Sequence, residues 1–333
     1  MRNFEEFREI VYSFRLPRLI LSALDFDLFT IMGSRTWSVK VLAKKLQVSE
    51  RGLDILCRNL AGAGLLVKHG TRYQSGKLGQ TLLNAQSPAY RGAYLDLMRQ
   101  QWEDWAQLTR SIRTGKPVEE QGDESPGYRQ SFTWAMHHRS IEPAKQVADQ
   151  INLKQVRTFL DLGGGPGTYA LAFLGKNPHM QATIMDRPEA LTVARAIAAP
   201  LKQGKRLSFH AGDFFSDAIP GKYDVIWLSN VLHIYSAKEN TKLFRRLRTH
   251  VNPGGQILIQ DTFLLDPEGL YPVETNLFAG TMLLFTETGN TYHLAEVKKW
   301  LVSSGFRRPT HIQLKKGTGD WEGVILKAVK PLR

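Results

Sequence analysis

The sequence predicts an α/β protein: a doubly wound, mostly parallel sheet of seven strands behind a mainly helical N-terminal region. Three features carry that expectation. Val156 to Tyr169 reads VRTFLDLGGGPGTY, an apolar strand that breaks into glycines and resumes with helical spacing. From there on, strand-like and helix-like segments alternate, the pattern of βαβ units. Residues 37–75 pattern instead as helix, turn, helix and hairpin.

The 333 residues suffice for about two domains. Hydrophobic residues at 42% and charged residues at 23% are ordinary for a globular chain and exclude a disordered or fibrous one. The net charge of +13 is concentrated at the two ends: residues 1–80 hold 13 basic and 7 acidic side chains, residues 302–333 hold 7 and 2. No dense basic stripe marks a nucleic-acid interface, so no specific nucleic-acid partner is expected. The single cysteine, Cys57, excludes an intrachain disulfide or a Cys-based zinc site and fits a reducing, cytoplasmic compartment. The opening MRNFEEFREIVYSFRLP is interrupted by charge, unlike a signal peptide. No apolar run of about 18 residues predicts a membrane span.

Taken in order, Phe4, Phe7, Ile10, Val11 and Phe14 repeat at helical spacing, as do Leu19, Ile20, Ala23, Leu24, Leu28 and Phe29 after Pro17. They predict two amphipathic helices whose apolar surface packs as core or meets a second copy of the chain. Ser38 starts the helix SVKVLAKKL, Ser49 is the N-cap of ERGLDILCRNLAGAG, and Gly64 ends that helix. LLVKHGTRYQS then reads as a hairpin around His69-Gly70. This is a winged-helix layout. On its second helix Asp54 lies between Arg51 and Arg58, a poor surface for phosphates, which favours protein contacts over DNA.

Residues 85–150 read as largely helical, with a polar surface loop at Thr114–Gly127. In the helix after it, Phe132 and Met136 share a face, while the adjacent His137 and His138 point apart and make a poor metal site. No metal is expected. Strands follow at about 157–162, 181–186, 206–211, 223–229 and 255–262, with helices between them. A helix at about 294–303 leads to a final hairpin near 310–314 and 322–329, joined by KKGTGD and contributing one antiparallel strand.

Ligands of open α/β sheets bind at the carboxyl ends of the strands. The glycine spacing is G-x-G-x-G, with Thr168 where a dinucleotide fingerprint has its third glycine. Asp161 stands two residues before Gly163. A carboxylate there repels a diphosphate and suits an ammonium, which S-adenosylmethionine carries without any phosphate. Asp186 ends the second strand, where a carboxylate takes both ribose hydroxyls. Asp213 and Phe214 follow the third strand, an acceptor for an adenine amino group and a ring to stack on it. Ser229 and Asn230 end the fourth strand, His233 comes just after, and Asp261 ends the fifth.

At these residues the chain resembles the class I S-adenosylmethionine-dependent methyltransferases. More closely, it is similar to the small-molecule O-methyltransferases that include plant caffeic acid and isoflavone enzymes and bacterial polyketide and phenazine tailoring enzymes. The resemblance spans nearly the whole chain: winged helix, LDLGGGPG, GDFF, SNVLHIYS, NPGG and SSGF. It implies a Rossmann-like, seven-stranded methyltransferase domain at 151–333, a helical linker lining the substrate pocket at 85–150, and a winged-helix dimerisation domain at 1–84. It further implies a homodimer and a small-molecule acceptor.

By motif, the resemblance puts the cofactor loop on Gly163 and Gly165, the ribose acid on Asp186, the adenine contacts on Asp213 and Phe214, and a further cofactor contact on Ser229. It puts the methionine-carboxylate contact on Ser140, the pocket residues on Phe132 and Met136, the general base on His233 and its orienting acid on Asp261. One departure stands out: Thr291 occupies the place of a second glutamate that many members carry. O-methylation is the activity implied. C- or N-methylation on the same fold is an alternative, and so is a winged-helix regulator that only senses a ligand.

Overall fold

The computed structural model describes residues 1–118, 126–314 and 324–332. The chain divides into two units, Met1–Arg99 and Gln100–Arg333.

The first unit opens with α1 (Phe4–Tyr12), α2 (Arg15–Asp25) and α3 (Leu28–Met32). Three helices stand where two are expected. Pro17 does not divide them, because it sits in the first turn of α2, where an N–H has no intrahelical partner to lose. Asp27, at φ +49°, separates α2 from α3 instead. Then come β1 (Trp37–Ser38), α4 (Val39–Leu46), α5 (Glu50–Gly62), β2 (Leu66–His69), β3 (Arg72–Ser75) and α6 (Lys77–Leu82). The side chains of Ser38 and Ser49 cap α4 and α5, accepting the Val41 and Gly52 N–H groups at 3.4 and 3.3 Å. The hairpin pairs His69 with Arg72, and β1 adds a third strand that the sequence pattern does not reveal, with Trp37 opposite Tyr73. Phe29, Met32, Leu53, Cys57, Leu60 and Tyr73 form the core. Arg58 is paired with Asp54 at 3.0 Å on one face of α5. No residue of α1 is buried.

Helix α7 (Gly92–Trp105) leads to α8 (Leu108–Thr114) and the long α9 (Pro126–Gln150). The central part of the expected loop at 114–127 lies outside the described residues. The main sheet follows: β4 (Thr158–Leu162), α10 (Thr168–Lys176), β5 (Gln181–Asp186), α11 (Pro188–Ala198), β6 (Leu207–Ala211), β7 (Tyr223–Ser229), α12 (Ala237–His250) and β8 (Val251–Gln260). A short β9 (Phe263–Leu264), α13 (Val273–Phe285), β10 (Tyr292–His293) and α14 (Leu294–Ser303) precede β11 (Arg307–Gln313) and β12 (Val324–Val329). The KKGTGD connection of this last pair is outside the described residues.

The seven strands lie in the order β11-β12-β8-β7-β4-β5-β6. β12 is antiparallel to both neighbours, and the pairings among β4 to β8 are all parallel. Two expectations change. The chain passes from β6 to β7 through residues 212–222 without a helix, because Asp213 and Asp217 fold that segment into turns through backbone N–H contacts. Strand β8 begins at Val251: the register jumps from Tyr223–Val251 to Val225–Gln256, which leaves the NPGG segment as a bulge with Gly254 at φ +75°.

Alternate strand residues face two apolar layers. Phe159, Trp227 and Leu258 pack with Val147, Phe173 and Ile197 of the helices on one face. Leu160, Ile226 and Ile257 pack with Phe244, Leu247 and Leu301 on the other. The strand order reverses at β4, which pairs with β5 on one side and β7 on the other, so the carboxyl ends of these strands flank the crevice of a doubly wound sheet.

Candidate active site

The glycine turn after β4 is held from both sides. Gly163 donates its N–H to Met185 O at 2.9 Å. A Cβ on Gly163 would lie 2.9 Å from Val231 Cγ2 and 3.4 Å from a Phe214 ring carbon, so only glycine lets the turn close on those side chains. Gly165, at φ +50°, has nothing within 4 Å of its would-be Cβ. It is the open face of the turn, and its N–H donates to Asp186 Oδ2 at 2.7 Å.

Asp161 lies beneath the turn and is 1% exposed. A Cβ on Gly164 would come within 2.5 Å of its Cγ. The carboxyl accepts the Ala170 N–H and so satisfies one of the orphan donors at the start of α10, while Oδ2 has no hydrogen-bond partner among the described residues. Burial pushes this carboxyl up to about 7, with the Ala170 bond opposing and the Asp186 charge adding to the rise.

Asp186 accepts two backbone N–H groups, Arg187 at 2.7 Å on Oδ1 and Gly165 at 2.7 Å on Oδ2. Burial raises its pKa; the two N–H bonds and the charges of Arg187 and Arg129 pull the other way. Asp213 is engaged by its own loop, Oδ1 accepting from Phe215 N at 2.8 Å and Oδ2 from Ser216 Oγ at 3.2 Å. From α12, Arg246 donates to the carbonyls of Phe215 and Asp217 and clamps that loop. Phe214 is buried against Phe215 and, edge-on at 5.9 Å, Tyr235.

Ser229 ends β7. Asn230 follows at φ +58°, its backbone N–H donating to Gln260 O at 2.9 Å and its Nδ2 to Ser229 Oγ at 3.3 Å. A single 3₁₀ turn, Leu232–Ile234, then carries His233. Nδ1 of His233 lies 2.7 Å from Asp261 Oδ1. The same carboxylate accepts the N–H groups of Leu232 at 2.9 Å and Thr262 at 2.8 Å. The imidazole and two backbone N–H groups thus converge on one buried acid, which orients the ring with Nδ1 towards Asp261 and Nε2 away from it. The Phe278 ring stands edge-on to the imidazole at 4.8 Å and 89°. Behind it, Asn290 N–H donates to the His233 carbonyl at 2.9 Å, and Thr291 is buried next in the chain.

The structure therefore brings Asp161, Gly163, Gly165 and Asp186 around one turn, and His233 with Asp261 into one pair. Phe132, Met136 and Ser140 lie at four-residue intervals on α9, Phe132 exposed and the other two half-buried. From α9, the bond to the first residue of α10 is made by His137, whose Nδ1 is 2.8 Å from Thr168 Oγ1. Sequence reasoning sets that histidine aside as a poor metal ligand and does not anticipate this bond. Asn230 is read from the sequence only as a polar residue at the end of the fourth strand, with no role given to it, and Phe278 lies in no motif. Gly280 leaves room for the Trp105 ring, whose edge would stand 3.4 Å from a Cβ there. Among the described residues no cluster of three His, Cys, Asp or Glu side chains is placed to hold a metal ion, and no helix is long and apolar enough to cross a membrane.

A family model described as the O-methyltransferase domain matches residues 98–307, and one described as the O-methyltransferase dimerisation domain matches residues 9–85. The tetracenomycin polyketide synthesis 8-O-methyltransferase TcmO of Streptomyces glaucescens is 28% identical over 306 residues, covering 90% of each chain. A 3-hydroxy-5-methyl-1-naphthoate 3-O-methyltransferase of Streptomyces sahachiroi is 27% identical over 293 residues, 86% of this chain and 84% of the relative. The crystal structure of human N-acetylserotonin methyltransferase in complex with SAM superposes with a TM-score of 0.85 over 99% of this chain and 98% of that one, at 24% identity, a likeness of fold.

Proposed function

This chain belongs to the O-methyltransferase family and is an S-adenosylmethionine-dependent O-methyltransferase; from that premise we propose that it methylates a hydroxyl of a small aromatic or enolic acceptor, with His233 as general base. The observation that carries this reading is the buried His233–Asp261 pair: with Nδ1 engaged by the carboxylate, Nε2 is the nitrogen assigned to accept the hydroxyl proton. Nε2 takes the acceptor's hydroxyl proton as its oxygen attacks. Asp261 offsets the charge that forms on the ring and keeps Nδ1 protonated throughout. With Thr291 in place of a second acid, the hold on His233 in this chain comes from Asp261 on one side and the Phe278 edge and Asn290 N–H on the other.

S-adenosylmethionine supplies a methyl group on a positively charged sulfur, ready for in-line displacement. The residues present fit it. Gly165 offers open backbone, Asp161 Oδ2 is a buried acceptor with no hydrogen-bond partner among the described residues and suits an ammonium, and Asp186 keeps lone pairs for two ribose hydroxyls. Asp213 and Phe214 are assigned to the adenine, Ser229 to a further cofactor contact and Ser140 to the methionine carboxylate. Phe132 and Met136 are assigned to the acceptor. Holding the acceptor hydroxyl in place would supply much of the rate, since it removes the entropy of bringing the reactants together. The relatives named for tetracenomycin and naphthoate methylation support an aromatic acceptor.

We also infer a cytoplasmic homodimer joined through the first unit, since α1 buries none of its apolar residues within one copy. The deciding experiment for the chemistry is turnover with methyl-labelled S-adenosylmethionine and a panel of hydroxynaphthalenes and enols, followed by locating the label. A label on oxygen is expected. A label found only on carbon or nitrogen would overturn the assignment.

A further inference from the structure

We propose that Asn230 is a further ligand-contacting residue, its Oδ1 accepting a hydrogen bond from an N–H or O–H group bound between Ser229 and His233. This rests on the reading above, in which cofactor and acceptor meet at the end of β7.

Four observations support it. First, Asn230 is a non-glycine residue in the left-handed region, at φ +58°. Such backbone is strained for any side chain, though asparagine tolerates it better than most, and strain of this kind clusters at functional sites. Second, its place is locked to the catalytic pair: its N–H donates at 2.9 Å to the carbonyl of Gln260, the residue directly before Asp261, and His233 lies three residues on. Third, its side-chain amide is half satisfied. Nδ2 donates to Ser229 Oγ at 3.3 Å, whereas Oδ1 is buried and has no hydrogen-bond partner among the described residues. A buried carbonyl oxygen left unpaired is costly, and it is paired when a bound molecule brings a donor. Fourth, the next strand end repeats the situation, where Oδ2 of Asp161, also buried, has no hydrogen-bond partner among the described residues. Strands β4 and β7 are paired in register, Leu162 opposite Leu228, so these two unpaired acceptors stand at adjacent carboxyl ends.

A turn needing only φ > 0 would be served by glycine without strain. The amide therefore has work beyond the turn. The donor it awaits has two sources: the ammonium of S-adenosylmethionine, or the acceptor's hydroxyl before it loses its proton.

Two variants separate these sources. Asn230→Gly relieves the backbone and deletes the oxygen, so its Tm should lie within about 3 °C of wild type or above it. Asn230→Asp retains an acceptor and loses the donor. Both are read by calorimetric titration with S-adenosylhomocysteine, which keeps the ammonium, and by kcat/KM on a hydroxynaphthalene that the wild type methylates. A loss of about tenfold or more in S-adenosylhomocysteine affinity in the glycine variant, restored in the aspartate variant, assigns the ammonium. Unchanged affinity with a tenfold or larger loss in kcat/KM, restored by aspartate to within about threefold, assigns the hydroxyl. Both quantities unchanged in the glycine variant, or no recovery in the aspartate variant, overturns the proposal. A wild type that binds no S-adenosylhomocysteine defeats the cofactor reading instead. A wild type that binds it but methylates none of the panel defeats the acceptor reading, and the affinity comparison alone then decides for or against Asn230.

Discussion

Nδ1 of His233 and Oδ1 of Asp261 lie 2.7 Å apart, at the carboxyl ends of two paired parallel strands, with the residues 6% and 2% exposed. A charge buried so deeply persists only when its hydrogen-bonding needs are met, and Asp261 meets them with Leu232 N–H, Thr262 N–H and the imidazole. The pair is thus preorganised before any acceptor arrives.

Replacing His233 with alanine is expected to lower kcat by about 10²–10⁴, the usual range for a lost general base, with S-adenosylhomocysteine affinity within about threefold of wild type. Asp261→Asn removes the charge that holds the tautomer and should lower kcat by about tenfold or more. Steady-state rates at saturating cofactor, paired with calorimetric titration, check both. Turnover of the alanine variant within about threefold of wild type would exclude His233 as the base.

Asp186, which we assign to the ribose, also holds the glycine turn, its Oδ2 taking the Gly165 N–H. Asp186→Ala should weaken cofactor binding by roughly 1–3 kcal/mol, the worth of hydrogen bonds to a charged group. The apparent KM for the cofactor should rise while KM for the acceptor moves little. An unchanged cofactor KM would remove Asp186 from the site.

Asp161 sets a pH dependence of stability. Its folded-state pKa, about 7, lies above the unfolded value near 3.9, so the folded state binds the extra proton. The stabilisation is fully present below about pH 4 and is lost as pH rises through about 7, amounting to roughly 4 kcal/mol in the absence of ligand. In Asp161→Asn the amide stays neutral at every pH, and its oxygen can still accept the Ala170 N–H. The Tm difference between this variant and wild type should therefore shift in favour of the variant between pH 4 and 7 and level off above. Thermal melts that run parallel across that range would contradict this.

Phe7 and Ile10 on α1 are 47% and 57% exposed in one copy of the chain. Phe7→Glu combined with Ile10→Glu should leave circular dichroism unchanged and convert a dimer to a monomer in light scattering at micromolar concentration. A wild type already monomeric there would count against the dimer.

Local grammar explains what could be read early. Apolar runs ending in Asp161, Asp186 and Ser229 show strands with polar carboxyl ends, and Ser38 and Ser49 announce two helix starts because a hydroxyl cap is a neighbour-scale interaction. The bulge in β8, the missing helix between β6 and β7 and the added strand β1 were not legible in the same way. The bulge and the added strand depend on partners far along the chain, Tyr223 for the bulge and Tyr73 for β1. The segment between β6 and β7 is held by Arg246, which reaches it from α12.

The same division runs through the active site. Residue type and spacing sufficed to nominate His233, Asp261 and the glycine turn, since a glycine-rich strand–helix junction and acids at strand ends are local patterns. That Asp161 is buried as a cap for α10, that Phe278 stands edge-on to the imidazole and that Asn230 has one oxygen unpaired among the described residues were decided by packing. Burial, ring orientation and hydrogen-bond satisfaction are set by segments that meet only when the sheet closes around its two apolar layers, and no window of neighbouring residues contains them.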